Sequence, residues 1–308
     1  MPISTINNAS FADTAVHGQR NLIINGAMQV AQRGTSHSVS TGGANYTLDR
    51  WALGVNAGVA VTVSQEDDTG DFNKFLRITG ASGNTIIQLL TRLEAQDTKR
   101  LAGKEVTLSF YARSSSASTV VVYAAYPSAT DNFTTTTNFA NQSNSITTAF
   151  TRFTFTFTVD SNADKGLQIL FADNDGIGAS ATLDIKGVQL ELSSQATPFE
   201  HRSFGDELAR CQRYYYHKPL IIYDTLGSSY NSLSTILYSY HIRDDYPVTM
   251  RVSPTLSYSV IHTYNSTDYT SYFDLFGNTE RQFHIRVGGT SINPQSDVSL
   301  SYTSDAEL

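Results

Sequence analysis

The sequence predicts an all-β protein: an antiparallel sandwich, then a short connector helix, then a second, smaller β-domain. Three observations carry this. Short runs with period-two alternation follow one another along most of the chain, most plainly in Phe153-Thr154-Phe155-Thr156-Phe157-Thr158-Val159, where three Phe and a Val share one face. Ser and Thr number 71 of the 308 residues while charged residues make up only 16%, the composition of polar β surfaces. Four of the seventeen Tyr precede residue 201 and thirteen follow it, whereas twelve of the sixteen Phe precede it, which marks a domain boundary.

Residues 1–20 are small and polar, with turn formers at Asn7-Asn8, Asp13 and Gly18, and read as an extended N-terminal arm. Residues 21–200 form the first domain. Leu22-Ile23-Ile24 leads into Asn25-Gly26, where a positive-φ turn is expected; Gly42-Gly43 is expected to supply another. Val59, Val61 and Val63 share a face, Val106, Leu108 and Phe110 alternate likewise, and Thr119 to Tyr126 is β-branched and aromatic throughout. Leu89 to Leu101 reads equally as a short helix or as strand and loop. The polar stretch Ser128 to Thr148, with Thr134 to Thr137 inside it, reads as a long exposed loop.

Residues 201–216 read as the connector helix. Ser203 can cap its first turn, Asp206 sits where a capping-box partner belongs, and Phe204, Leu208, Cys211 and Tyr215 fall on one face. In residues 217–308, Leu233 to Tyr240, Thr255 to Tyr264, Ser271 to Phe276, Gln282 to Val287 and Val298 to Tyr302 read as strands, punctuated by Pro219, Pro247, Pro254 and Pro294.

Composition also excludes functions. A net charge of −7 and only six Lys argue against a nucleic-acid binder, which needs a basic stripe to neutralise phosphates. No window approaches eighteen apolar residues, so no spanning helix and no membrane insertion are expected. The first residues lack the basic and apolar stretches of a secretory signal, so export by that route is not expected. A single Cys211 rules out a disulfide framework within the chain and reads as a packed thiol.

Particular residues carry a family likeness. Asn21-Leu22-Ile23-Ile24-Asn25-Gly26-Ala27-Met28-Gln29-Val30, Gln32-Arg33-Gly34 and Tyr46-Thr47-Leu48-Asp49-Arg50-Trp51 resemble the start of the carbohydrate-binding-module-like jelly roll of bacteriophage tail fibre and other virion proteins. Gly187-Val188-Gln189-Leu190-Glu191, Ala196-Thr197-Pro198-Phe199-Glu200 and Leu208 to Tyr215 resemble its close and the helix after it. Tyr246 to Arg251, Pro254-Thr255 and Ser304 to Leu308 are similar to the tail-fibre domain that often follows. The resemblance implies a jelly-roll sandwich, a virion location, a role at the host surface and no catalytic residues.

Chemistry is sparse. Glu66-Asp67-Asp68 and Asp244-Asp245 read as solvated turns rather than paired catalytic carboxylates, and Asp49-Arg50 as an ion pair beside a buried Trp51, with a sugar platform the weaker alternative for that ring. Asp173-Asn174-Asp175-Gly176 lacks the full ligand spacing of a calcium loop and reads as a turn; no metal site or cofactor is expected, though a structural calcium stays open. The seven His show no i, i+4 pair on a helix.

What remains is recognition by rings and neutral polar groups. Tyr264, Asp268, Tyr269 and Tyr272 are the first candidates for glycan binding, a Tyr-rich subunit contact being the plainer alternative. Tyr214, Tyr215 and Tyr216 are expected to line a subunit interface, since three adjacent rings at a helix end point in different directions. The leading expectation is a non-catalytic tail fibre or host-recognition protein, homotrimeric, joined to other virion proteins through its arm and binding host-surface glycan. The alternatives are a capsid decoration or head-fibre protein, and a glycan depolymerase.

Overall fold

The computed structural model describes residues 20–40, 42–56, 60–83, 86–116, 118–223, 238–264, 267–268, 272–289 and 297–308. Most of the expected arm lies outside them. The chain divides into two compact units, Met1–Glu207 with Leu308, and Leu208–Glu307, so the division falls inside the connector helix.

In the first unit the strands are β1 (Ser36–Val39), β2 (Gly42–Tyr46), β3 (Ala52–Asn56), β4 (Val61–Asp67), β5 (Lys74–Thr79) and β6 (Ile86–Leu93). After the helical turn α1 (Ala95–Thr98) come β7 (Glu105–Ser114), β8 (Ser118–Ala129), β9 (Asn132–Ile146), β10 (Thr151–Thr158), β11 (Leu167–Asp173) and β12 (Thr182–Glu191). They form two six-stranded antiparallel sheets, β1-β4-β5-β12-β7-β10 and β2-β3-β6-β11-β8-β9. This is the expected β-sandwich, and the alternating apolar residues of both sheets meet inside it. Phe110 of β7 meets Phe171 of β11 edge to face at 5.0 Å, and Phe155 and Phe157 of β10 point inward as expected, with Phe153 stacked on Phe110.

The first residues are latched by two asparagines. Asn21 accepts from the amides of Ile23 and Leu190 and donates to the Val188 carbonyl, which ties the start of the domain to its last strand. Asn25 bonds both Val30 and Asp49, and Trp51, 0% exposed, is core rather than a sugar platform. At the turn it is Asn25 that takes positive φ, 57°. Gly26 is required for another reason: a Cβ there would lie 2.1 Å from the Val188 carbonyl oxygen.

Several expectations are corrected. The polar stretch around Thr134 to Thr137 is no loop but β9, paired along its length with β8 at the sheet edge. β-Branched Thr fits a pleated, half-exposed edge, and its polarity suits that position. Leu89 to Leu101 divides into the end of β6 and two short helical turns. Asp68 is not solvated; it pairs with Lys186 at 2.6 Å, both side chains buried. The Asp49 carboxylate accepts from the Gln32 amide and side chain, and burial raises its pKa above 3.8 against those bonds and the nearby charge of Arg33.

The connector helix, α2 (Phe204–Gln212), begins as expected: Ser203 Oγ accepts from the Asp206 amide and donates to the Asp206 carboxylate. Its buried face departs in part from the expected one. Cys211 and Tyr215 are buried as expected, but Phe204 is 55% exposed and Glu207 is buried in its place. Glu207 lies inside because it accepts from the Asn25 amide at 2.6 Å and pairs with Arg202.

The second unit holds β13 (Tyr215–Tyr223), β14 (Tyr238–Asp245), β15 (Thr255–Tyr264), β16 (Thr267–Asp268), β17 (Tyr272–Asn278), β18 (Gln282–Gly289) and β19 (Asp297–Asp305). They form two sheets, β13-β19-β15-β16 and β14-β18-β17. The described core is aromatic: Tyr302 meets Phe283 at 4.4 Å, and Tyr216 meets both Tyr246 and Tyr302 edge-on. Asp244 is no turn residue but accepts from Tyr302 at 2.8 Å and Lys218 at 2.5 Å. Burial, with that bond to Asp244, pushes the Tyr302 phenol far above its ordinary pKa. Tyr214, Tyr215 and Tyr216, expected at a subunit interface because their rings point in different directions, are largely covered within the chain. Tyr214 and Tyr215 are 2% and 8% exposed and Tyr216 is half-buried, because a strand replaces the helix end after Tyr214 and sends alternate rings to opposite faces.

Candidate functional site

The second sheet of the first unit turns its inward parity to the core through Leu53, Leu89, Ile169 and Val122. Its other parity carries a pattern across five strands. Tyr46 of β2 stands opposite Ala52 of β3, Ala52 opposite Leu90 of β6, Leu90 opposite Leu170 of β11, and Leu170 opposite Tyr123 of β8. Directly opposed residues share a face, so these five side chains form one row running across the strands. At ordinary strand spacing the row is about 19 Å long.

The row has rings at its ends and aliphatic carbon between them. Ala52, Leu90 and Leu170 form a separate, buried apolar cluster away from the main core, and the half-buried Tyr46 and Tyr123, which pack against it, are the more exposed residues of these five. The Arg33 guanidinium lies over the Tyr46 ring at 5.3 Å and helps fix it.

Rows of mixed polar and small apolar residues flank it. On one side Arg92 stands opposite Gln168, Gln168 opposite Ala125, and Ala125 opposite Asn138; on the other Gly54 stands opposite Gln88, Gln88 opposite Ala172, Ala172 opposite Val121, and Val121 opposite Ser143. Asn141 continues the central row beyond Tyr123. Arg92 is fixed by its bond to Gln168 Oε1 at 3.1 Å and by the Phe133 ring at 5.1 Å, and is the one charged residue of the three rows. The Leu308 carbonyl, which groups with this unit, accepts from Tyr46 Oη at 3.0 Å and from Arg92 Nη1. Those two donors are thus aimed at one acceptor above the sheet.

An apolar strip between rings, edged by amides and hydroxyls, is suited to a ligand with C–H faces and hydroxyl edges, which are the two surfaces of a sugar. None of the residues in the three rows is a carboxylate. Among the described residues no group of three or more His, Cys, Asp or Glu is placed to hold a metal ion.

The residues singled out in the sequence stand elsewhere. Tyr264 ends β15, where it pairs with Thr267, and Asp268 pairs with Thr263, whereas Tyr272 begins β17 in the other sheet. Tyr269 lies outside the described residues. Sequence reasoning missed Tyr46 and Tyr123 as a pair. A signal existed in Thr119 to Tyr126, whose two faces are both apolar or aromatic, since a strand with one solvated face alternates instead.

Residues 36–176 match the profile of a family described as a carbohydrate binding domain. No curated protein matches the chain. Among solved structures, it is similar to one described as "CBM4 structure and function", at 22% identity over 55% of this chain and 98% of that one, with a TM-score of 0.37. It is similar to the enzymatically active domain of bacteriophage CBA120 tailspike protein 4, at 16% identity over 58% of this chain and 22% of that one, with a TM-score of 0.40. A family 11 carbohydrate-binding module from Clostridium thermocellum, in complex with a mixed-linked tetrasaccharide, is similar at 14% identity over 53% of this chain and 98% of that one, with a TM-score of 0.33.

Proposed function

We propose that the chain is a non-catalytic glycan-binding protein of a bacteriophage virion, a tail fibre or host-recognition component, and that a glycan lies along the Tyr46–Tyr123 row. The row is the observation that carries this reading. Its length suits a short stretch of a linear sugar chain laid across the strands, with rings stacking at the two ends. Gln88, Gln168, Asn141 and Ser143 are then placed for the hydroxyl edges. Support also comes from the carbohydrate-binding profile, which spans β1 through β11, and, for the virion, from the resemblance of the opening and closing motifs to tail fibre proteins. A row without carboxylates favours holding a glycosidic bond over cleaving it, which needs two of them.

In this reading the protein is a homotrimer joined to other virion proteins through residues 1–20, and a second, weaker glycan contact lies at Tyr264, Asp268, Tyr269 and Tyr272. Several weak sites on one particle raise the effective concentration of each later contact. The test is affinity electrophoresis of the full chain in gels containing polysaccharides from bacterial envelopes, with reducing-sugar release assayed in parallel. Retardation that is lost in Tyr123→Ala, without sugar release, is the expected result. Sugar release by the wild type would replace this reading with a depolymerase. Light scattering reads the subunit number, and immunogold labelling of particles places the protein on the tail or on the capsid.

A further inference from the structure

At one end of the sandwich the inward positions change chemistry. Along β7 they run Val106, Leu108, Phe110, Ala112 and then Ser114; along β8, read backwards, Ala124, Val122, Val120 and then Ser118; along β11, Leu167, Ile169, Phe171 and then Asp173. Three strands that fill the core with hydrocarbon thus end, on the same face, in two hydroxyls and a carboxylate.

A cavity of about 300 Å³ opens there, which these three residues line together with Ser145, Asp175 and Gly178. Asp173 is only 3% exposed. One of its oxygens accepts from Ser118 Oγ at 2.5 Å and the other from the Asp175 amide at 3.1 Å. Each carboxylate oxygen can accept twice, so acceptor capacity is left over. Exposed Asp175 adds a second carboxylate. The loop carrying it is held close to the sheet: a Cβ on Gly80 would lie 2.3 Å from the Ile177 carbonyl oxygen, so that approach requires glycine.

We propose that this cavity is a second ligand site, separate from the row, which takes a single sugar ring or similar vicinal polyol through hydrogen bonds alone. None of the described residues lining it is aromatic, so the proposed binding relies on hydrogen bonds rather than stacking. Its volume is at the small end of ligand pockets, where one ring fits and a chain does not. Neighbouring hydroxyls of a polyol can donate together to a carboxylate while the serine hydroxyls serve as donor or acceptor. A calcium ion fits less well. It needs six to eight oxygens, roughly, and an O–H and an N–H already point at Asp173 where a cation would have to approach. The choice of ligand rests on the glycan-binding reading; the site itself rests on the cavity.

The two sites carry different methyl groups, which makes them separable in one experiment. Ile146 and Ile177 line the cavity, and Leu90 and Leu170 lie in the row. Full-length protein with labelled Ile and Leu methyls is titrated with glucose, galactose, mannose and N-acetylglucosamine, and separately with calcium chloride. At least one sugar is expected to shift Ile146 and Ile177 while leaving Leu90 and Leu170 in place. Asp175→Asn and Ser118→Ala, the first at an exposed position, should each weaken that titration by about tenfold, the scale of one charge-assisted hydrogen bond. Shifts confined to Leu90 and Leu170 would overturn the cavity site and leave the row intact. No shift at Ile146 and Ile177 with any of the four sugars would overturn the cavity site, while the row is tested separately by retardation in polysaccharide gels. Shifts at Ile146 and Ile177 with calcium but not with sugars, or an unchanged titration in both variants, would also overturn the proposal.

Discussion

Trp51 donates its indole N–H to the backbone carbonyl of Asn25 at 3.0 Å, and Asn25 in turn uses its own side chain to hold Val30 and Asp49. One asparagine thereby joins the turn at the start of the domain to the turn before β3. The Asn21 to Val30 motif is therefore structural: its polar side chains replace backbone pairing that an irregular entry segment lacks.

Asn25→Ala removes the partner of three buried backbone groups at once. Each buried group left unsatisfied costs about 1–3 kcal/mol, so the variant should lose at least about 2 kcal/mol. Trp51 is the only tryptophan, and its fluorescence during urea unfolding reports this unit directly. A loss below about 0.5 kcal/mol, the level of an unremarkable surface change, would show that the segment is held by other contacts.

Phe155→Ala is expected to cost roughly 3–5 kcal/mol, because the ring is buried on the inward face of β10. Its neighbour Thr154 is exposed on the opposite face, and Thr154→Ala should stay within about 0.5 kcal/mol. Urea midpoints of the two variants measure the contrast. Equal losses would mean that β10 does not keep the alternation its sequence prescribes.

The pair Asp68–Lys186 makes stability depend on acid. Burial pushes the Asp68 carboxyl up, but the hydrogen bond and charge of Lys186, with the amides of Gly70 and Phe72, outweigh it and hold the pKa below 3.8. A depressed carboxyl contributes stability that is fully present above the unfolded value and is lost as pH falls through the folded one. Asp49, raised by burial, has the opposite sign: it relieves the folded state as pH falls. Unfolding midpoints from pH 6 downward should therefore show a loss below about pH 3.8 in the wild type that is smaller in Asp68→Asn. Identical slopes in the two proteins would remove Asp68 as the cause.

Local chemistry made part of this molecule legible. The alternation from Phe153 to Val159 needs no distant partner to declare its faces, and the Ser203–Asp206 cap is decided within one turn. Register is different. Tyr46 and Tyr123 become the ends of one row only when β2, β3, β6, β11 and β8 are placed in order with their pairings fixed, and a one-residue slip in any of them breaks it. Charged runs misled for a related reason. Asp68 and Asp244 read as solvated because their partners, Lys186 and Lys218, lie on other strands, whereas Asp67 in the same run as Asp68 is indeed exposed.

In the proposed glycan-binding reading two places compete for the main contact, the Tyr46–Tyr123 row and the Tyr264 to Tyr272 segment, and they differ in what variants should do. The row brings its rings onto one face of one sheet, so one stretch of ligand would meet both tyrosines. Tyr264 and Tyr272 begin from strands of different sheets, so the backbone does not align them in one ladder. Tyr46→Ala and Tyr123→Ala should each reduce oligosaccharide affinity by at least about tenfold, as a lost stacking contact together with its buried area does. Tyr264→Ala and Tyr269→Ala should leave that affinity unchanged and affect only adsorption to whole cells, where weak contacts are multiplied by copy number. Calorimetry with a short oligosaccharide and adsorption to cells, run on the same four variants, separate the two contributions. Lost calorimetric binding in Tyr264→Ala, with Tyr46→Ala and Tyr123→Ala unaffected and folded, would move the principal site to the second unit.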